Sequence, residues 1–237
     1  MPSKINTILF DAIGTLWHPA RPITEMWMDV LLRFDVVRTP QEIFLAATEH
    51  LHWQAPQFLA FETSGQPVDD ETIEAVWLEF DKRVLQSLGI NASTDDIVRE
   101  VYPIFEDFNA LYENTVDVLA SIQDMGYRMA MVSNGVYQRK AVAKLKILNL
   151  FDSIIGSFHV GFMKPDPKIF NLALREMGAS TEQALMVGDT WDADVLGARS
   201  LGIHVLHLRR EEAVDVSKDE ISSLHGVVDY LVQYQEK

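Results

Sequence analysis

The chain contains no cysteine, which excludes a disulfide framework, a thiolate nucleophile and a cysteine metal site. That composition fits a reducing cytosol. No stretch approaches the roughly 18 uninterrupted apolar residues needed to span a bilayer, and Met1-Pro2-Ser3-Lys4 runs straight into a strand-like segment rather than an apolar export signal. A cytoplasmic protein without membrane contact is expected. Basic residues are scarce, 20 Lys and Arg against 35 Asp and Glu, for a formal charge of −15. Such a field repels nucleic acid and anionic membrane surface at long range, so the expected partner is a small molecule. An anionic substrate would need a local metal or lysine. What is present is core material: 237 residues at 48% apolar composition suffice for one large domain or two modest ones.

No repeat or low-complexity segment organises the chain, so its order must be read from runs. Ile8-Leu9-Phe10 is a short apolar strand. About ninety residues follow with helical spacing instead, as in Trp27, Val30, Leu31 and Phe34, then Ile73, Val76, Trp77, Phe80, Val84 and Leu88. Breaks at Thr39-Pro40, Ser64-Gly65-Gln66-Pro67 and Gly89-Ile90-Asn91-Ala92-Ser93 divide this insertion into about four helices, with Ser93 or Thr94 as an N-cap. Most of the negative charge falls there. From about Tyr112 helices alternate with the short strands Met129–Val132, Ile154-Ile155, Ala184–Val187 and Ile203–Leu206. Short apolar strands separated by helices predict an α/β fold with a parallel sheet covered on both faces. Ligands of such sheets sit beyond the carboxyl ends of the strands.

The chemically informative residues fall at those ends. Asp11 follows the first strand, Ser133-Asn134-Gly135 the second, Lys164 lies in the loop before Pro165-Asp166-Pro167, and Gly188-Asp189-Thr190 follows the fourth. Turn pairs and loop lysines are common singly; it is their joint placement around one crevice that signals a site. A carboxylate attacking an anionic electrophile needs cationic screening, which Lys164 and a metal would supply. Hard carboxylate oxygens suit Mg²⁺, which takes one or two protein carboxylates and keeps waters or a substrate oxygen.

The segments Asp11-Ala12-Ile13-Gly14-Thr15-Leu16, Val132-Ser133-Asn134-Gly135, Lys164-Pro165-Asp166-Pro167-Lys168-Ile169-Phe170 and Val187-Gly188-Asp189-Thr190-Trp191-Asp192-Ala193-Asp194 resemble, in order, the four motifs of the haloacid dehalogenase-like hydrolase superfamily. The helical insertion is placed like the cap of its C1-capped branch. The resemblance implies a Rossmann-like core of residues 1–17 and 111–237 and a helical cap of residues 18–110. It implies Asp11 as nucleophile, Ser133 as hydrogen-bond donor to the transferring group, Lys164 as charge stabiliser and Asp194 at the acidic end of the catalytic set. Thr15, Asn134 and Gly135 are read as substrate-binding. Mg²⁺ would be held by Asp11, Asp189 and the backbone carbonyl of Ile13.

One position departs from the phosphatase pattern. Where those members carry a second aspartate that protonates the leaving group and activates water, this chain has Ile13. The expected activity is therefore Mg²⁺-dependent hydrolysis of a small phosphorylated metabolite with a good leaving group. A rival is metal-independent halide displacement, since halide needs no proton to depart and the family's dehalogenases also carry a non-acidic residue there. Those enzymes, however, resemble Ser-x-Asn rather than Gly188-Asp189 in the last motif and clamp substrate with a cap arginine, for which Arg21, Arg33 and Arg38 are available. A phosphonatase would need a cap lysine, here Lys82. A third reading is a metabolite-binding homologue without turnover. His50 and His52 point to different helix faces and make no joint metal site; Trp17, Trp27, Trp53 and Trp77 are expected in the cap core or between cap and core, Asp192 in solvent, and His18 near the crevice. An exposed cap helix would allow a homodimer that no heptad pattern requires.

Overall fold

Thr7–Phe10 (β1) is buried at all four positions, the signature of a strand covered on both faces rather than one. The computed structural model describes residues 4–91, 94–106, 109–135, 138–210 and 219–235. After β1 come a three-residue strand, Trp17–Pro19 (β2), and four helices, Ile23–Arg33 (α1), Pro40–Thr63 (α2), Asp70–Ser87 (α3) and Thr94–Glu106 (α4). The chain returns through Asn109–Leu111 (β3), then Thr115–Asp124 (α5), Arg128–Ser133 (β4), Gln138–Lys144 (α6), Ser153–Gly156 (β5) and Ser157–Val160 (α7). Pro167–Met177 (α8), Ala184–Gly188 (β6), a π-helical turn at Trp191–Leu196, Gly197–Arg199 (α9), His204–Leu208 (β7), Glu220–Ile221 (β8) and His225–Gln235 (α10) complete it.

Six strands form one parallel sheet in the order β5-β4-β1-β6-β7-β8. This is the expected Rossmann-like α/β core, and β1 lies where the order turns back, between β4 and β6. Ligand crevices open at such switch points. One apolar layer packs Ile8, Phe10, Met129, Met131 and Leu185 against α5 and α10; the other packs Leu9, Ala130, Val132 and Met186 against α8 and Val195. Successive side chains of β1 thus serve opposite layers, as the period of two requires.

The insertion is helical, as its spacing predicts. The Thr39-Pro40 break is an N-cap: Thr39 accepts from the Glu42 amide, Glu42 answers to the Thr39 amide, and Pro40 opens α2. Asp69 caps α3 through the Thr72 amide. Ser93, the other expected cap residue, lies outside the described residues, and Thr94 is the first residue of α4. The insertion has its own core around Trp27, Leu31, Ile43, Phe80, Leu85 and Ile97. Trp53 and Trp77 lie against it. Trp17 differs: at 1% exposure it belongs to the core beneath the sheet, with Phe10 and Leu16. The antiparallel ribbon β2–β3, with His18 opposite Ala110, joins sheet and helices. Among the described residues no helix is long and apolar enough to cross a membrane.

Asp81 stands among apolar neighbours on α3 at 2% exposure, and burial pushes its carboxyl up to about 8. A carboxyl raised from 3.8 to about 8 is tolerated neutral, so its contribution is intact below about pH 4 and is lost as pH rises toward 8. Asp81→Asn is accordingly expected to raise the melting temperature at pH 8 by about 5 °C or more and to leave it nearly unchanged at pH 4, as read by thermal unfolding across that range.

Candidate active site

Asp11 sits one residue beyond β1, with its amide bonded to the Val187 carbonyl at 2.9 Å, and is 7% exposed. Lys164 approaches from the loop before α8 and is 2% exposed. Its Nζ donates to Asp11 Oδ1 at 2.5 Å and to Asp194 Oδ1 at 2.6 Å. The second oxygen of Asp194 accepts from the Thr190 amide at 3.0 Å. Burial opposes a charge on Lys164, but the two carboxylates outweigh it and hold the ammonium above the ordinary lysine range. Asp194 bears the opposite balance: its burial, at 0% exposure, exceeds the pull of Lys164 and lifts it to about 6.

Asp189 completes the acidic group from the end of β6. Burial and the charge of Asp11 raise it above the usual carboxylate range. Ligand oxygens of Asp11, Asp189 and Asp194 all lie within 4.8 Å of one another. Asp194 already spends its oxygens on Lys164 and Thr190, leaving Asp11 and Asp189 as the pair suited to a hard cation. Thr15 Oγ1 joins them, 3.4 Å from Asp11 Oδ2 and 3.2 Å from Asp189 Oδ1. Two glycines make room. A Cβ at Gly14, whose φ is +86°, would meet Asp189 Oδ2 at 2.3 Å; one at Gly188 would meet Asp194 Oδ2 at 2.3 Å.

The loop after β4 lies on the other side of Lys164. Asn134 brackets the lysine backbone, donating to its carbonyl at 2.9 Å and accepting from its amide at 2.7 Å. Ser133 is buried at 1% exposure, and the Gly135 amide donates to Ser157 Oγ at 2.8 Å. The predicted residues Asp11, Thr15, Lys164, Asp189 and Asp194 thus meet directly; Asn134 is tied to them through the Lys164 backbone, with Ser133 and Gly135 as its chain neighbours.

Other candidates stand elsewhere. Ile13 is 52% exposed and offers no proton. Asp192 is exposed, as expected. His18 rests against Tyr112 in the ribbon and bonds the Pro19 carbonyl, while His50 bonds Ser87 within the cap. The cap cations are engaged locally: Arg21 with Asp29, Arg33 with Glu100, Arg38 with the Leu88 carbonyl and Lys82 with Asp95.

Sequence reasoning missed Arg210. Its guanidinium lies 3.6 Å from the Tyr112 ring centre and donates to the Thr15 carbonyl at 2.5 Å and the Gly14 carbonyl at 3.4 Å, tying the Asp11 loop to the segment returning from the cap. Its one sequence signal is its place just beyond β7, the same rule that picks out Asp11 and Asp189.

Comparison with known proteins settles the family, because the haloacid dehalogenase-like hydrolase family model matches residues 5–202. The chain belongs to the haloacid dehalogenase-like hydrolases. A glyceraldehyde 3-phosphate phosphatase of Methanothermobacter thermautotrophicus is 35% identical over 131 residues, 53% of this chain and 57% of that protein. The pyrophosphatase PpaX of Listeria monocytogenes is 26% identical over 194 residues, 81% of this chain and 77% of that one. The chain spans about half the length of the first curated relatives it matches. Among solved structures, a 2-haloacid dehalogenase of Pseudomonas syringae superposes over 97% of this chain and 99% of its own with a TM-score of 0.71 at 19% identity, a likeness of fold alone.

In this hydrolase the buried ammonium is what permits Asp11, after β1, and Asp194, in the turn after β6, to be buried side by side. Lys164→Met is expected to cost about 3–5 kcal/mol of unfolding free energy, since it strands both acids. Adding Asp194→Asn should recover part of the loss, and chemical denaturation of the two variants reads the cycle.

Proposed function

We propose that this hydrolase is a Mg²⁺-dependent phosphatase acting through an aspartyl intermediate on Asp11, with residues 1–17 and 111–237 as the catalytic unit and 18–110 as its cap. The observation that carries the reading is the pairing of Asp11 with Asp189, whose ligand oxygens lie within 4.8 Å of one another. Burial and the charge of Asp11 raise Asp189, and Thr15 Oγ1 reaches both carboxylates, so the two acids form an anionic oxygen site. That donor set fits Mg²⁺, with the Ile13 carbonyl as the expected third oxygen. When bound, the ion neutralises charge on the transferring phosphoryl group.

The remaining chemistry is assigned to the chain's own groups. An Asp11 oxygen forms the bond to phosphorus as the bond to the leaving oxygen breaks, and Lys164 screens the approach of anion to anion. Thr15, Ser133, Asn134 and Gly135 orient the phosphoryl oxygens. Asp194 holds Lys164 in place from behind. Ile13 supplies no proton, so the departing oxygen leaves as an anion, which suits acyl phosphates, phosphoanhydrides and aryl phosphates rather than alkyl esters. A small phosphorylated substrate agrees with the names of the relatives; the pyrophosphatase names a phosphoanhydride, as the missing acid favours, whereas the glyceraldehyde 3-phosphate phosphatase names an alkyl ester. Halide displacement draws support from Ile13 alone; the cap arginines that would clamp a haloacid are already bonded within the cap.

Phosphate release from acetyl phosphate and p-nitrophenyl phosphate should require Mg²⁺ and vanish in Asp11→Asn. Ile13→Asp should accelerate alkyl phosphate hydrolysis by about 10²- to 10⁴-fold. Chloride release from 2-chloropropionate that persists in EDTA, with no phosphate release, would overturn the reading.

A further inference from the structure

The cap touches the core at a second place besides the ribbon, and this contact runs into the catalytic loop. Ser157 opens α7 and is 0% exposed. Its Oγ accepts the Gly135 amide at 2.8 Å and donates to Glu62 Oε1 at 2.5 Å. Glu62 lies in the last turn of α2, so a carboxylate of the cap is two hydrogen bonds from the loop that carries Ser133.

The surroundings are built for that approach. Phe58 and Phe61 of α2 pack on Phe158 at centroid distances of 5.1 and 5.8 Å. The Gly65 amide donates to the Gly161 carbonyl at 3.0 Å, and the Val68 amide to the Phe158 carbonyl at 3.1 Å. Gly161 is required: its φ is +73°, and a Cβ there would meet the Gln66 backbone nitrogen at 2.4 Å. At the rim, Asp70 pairs with His159 at 2.8 Å and Glu74 with Lys140 at 2.7 Å. The exposed pairs contribute little singly. The hydrogen bond to Ser157 is different, because Ser157 is 0% exposed while the cap is docked, so truncating Glu62 in place leaves its hydroxyl without that acceptor.

The geometry points to Glu62 as a positioning residue of the catalytic loop: by fixing Ser157 it fixes Gly135, and it does so only while the cap is docked. Among the described residues the loop is tethered by two hydrogen bonds from Asn134 to the Lys164 backbone and by one from Ser157. Of these the last depends on the insertion. Undocking frees Ser157 Oγ from its acceptor and lets Gly135 shift against Asp11, so turnover is conditional on closure. This assignment rests on the phosphatase reading for its rate effect but not for its structural one.

The absence of native cysteine allows a direct test. Glu49 on the cap and Arg175 on the core are exposed, and Glu49→Cys with Arg175→Cys accepts a spin-label pair for distance measurement by double electron–electron resonance. Glu62→Ala is expected to broaden and lengthen the cap-to-core distance and to lower kcat for p-nitrophenyl phosphate about tenfold, with KM within about twofold. Glu62→Gln, whose amide oxygen still accepts from Ser157, should retain both, and Ser157→Ala should reproduce the rate loss. An unchanged distance distribution in Glu62→Ala, or equal rate loss in the alanine and glutamine variants, overturns the assignment. If the wild-type chain releases no phosphate, the phosphatase reading fails by itself and the distances still decide the latch.

Discussion

A single buried ammonium organises this molecule's chemistry. Lys164 is nearly inaccessible, yet it is held charged by Asp11 on one side and Asp194 on the other. Burying an ion is costly unless its partners are close and themselves hydrogen-bonded. Asp194 meets that condition through the Thr190 amide, and Asp11 through the Thr15 hydroxyl at its second oxygen. The lysine backbone is fixed in turn by Asn134. Elements separated by more than 150 residues are therefore registered to one another through one nitrogen.

The arrangement of acids follows from that constraint. Once Lys164 has claimed Asp194 and one oxygen of Asp11, the negative charge left over faces Asp189 across Gly14. Asp189, raised by burial and by the charge of Asp11, marks this side as the place where a hard cation would be held. The site is divided, with a cation provided by the protein on one flank and an oxygen cradle on the other. Glycine at 14 and 188 is needed because the carboxylates occupy the space a side chain would take.

Much of this is legible in the sequence. The strands β1, β4 and β6 carry continuous apolar runs because both sheet faces are covered, and polar residues at their ends stand out for the same reason. Asp11, Lys164 and Asp189 are legible that way. The ribbon β2–β3 and the strand β8 are not, since two or three residues cannot display a period of two. Of the two places expected for Trp17, the cap core is not the one it takes: it packs with Phe10 and Leu16, placed by the turn through Gly14 and not by the helical spacing that follows. Asp194 reads as an ordinary helix residue until the π-helical turn brings it back to Thr190 and Lys164. Arg210 and the pair Glu62–Ser157 were illegible because their partners lie 195, 196 and 95 residues away, and no local pattern encodes a contact between separately folded segments.

The ribbon has a consequence for how such a chain can change. Because the polypeptide leaves the sheet at Trp17 and returns at Leu111, its register partner, the four helices hang from adjoining points of exit and re-entry. Their length, number and composition can drift, or be exchanged wholesale by recombination, without disturbing any pairing within the six-stranded sheet. A new insertion inherits the same sheet-borne acids and lysine and has to bring its own contact to Ser157 along with a surface facing the crevice, so diversification of specificity leaves the sheet untouched.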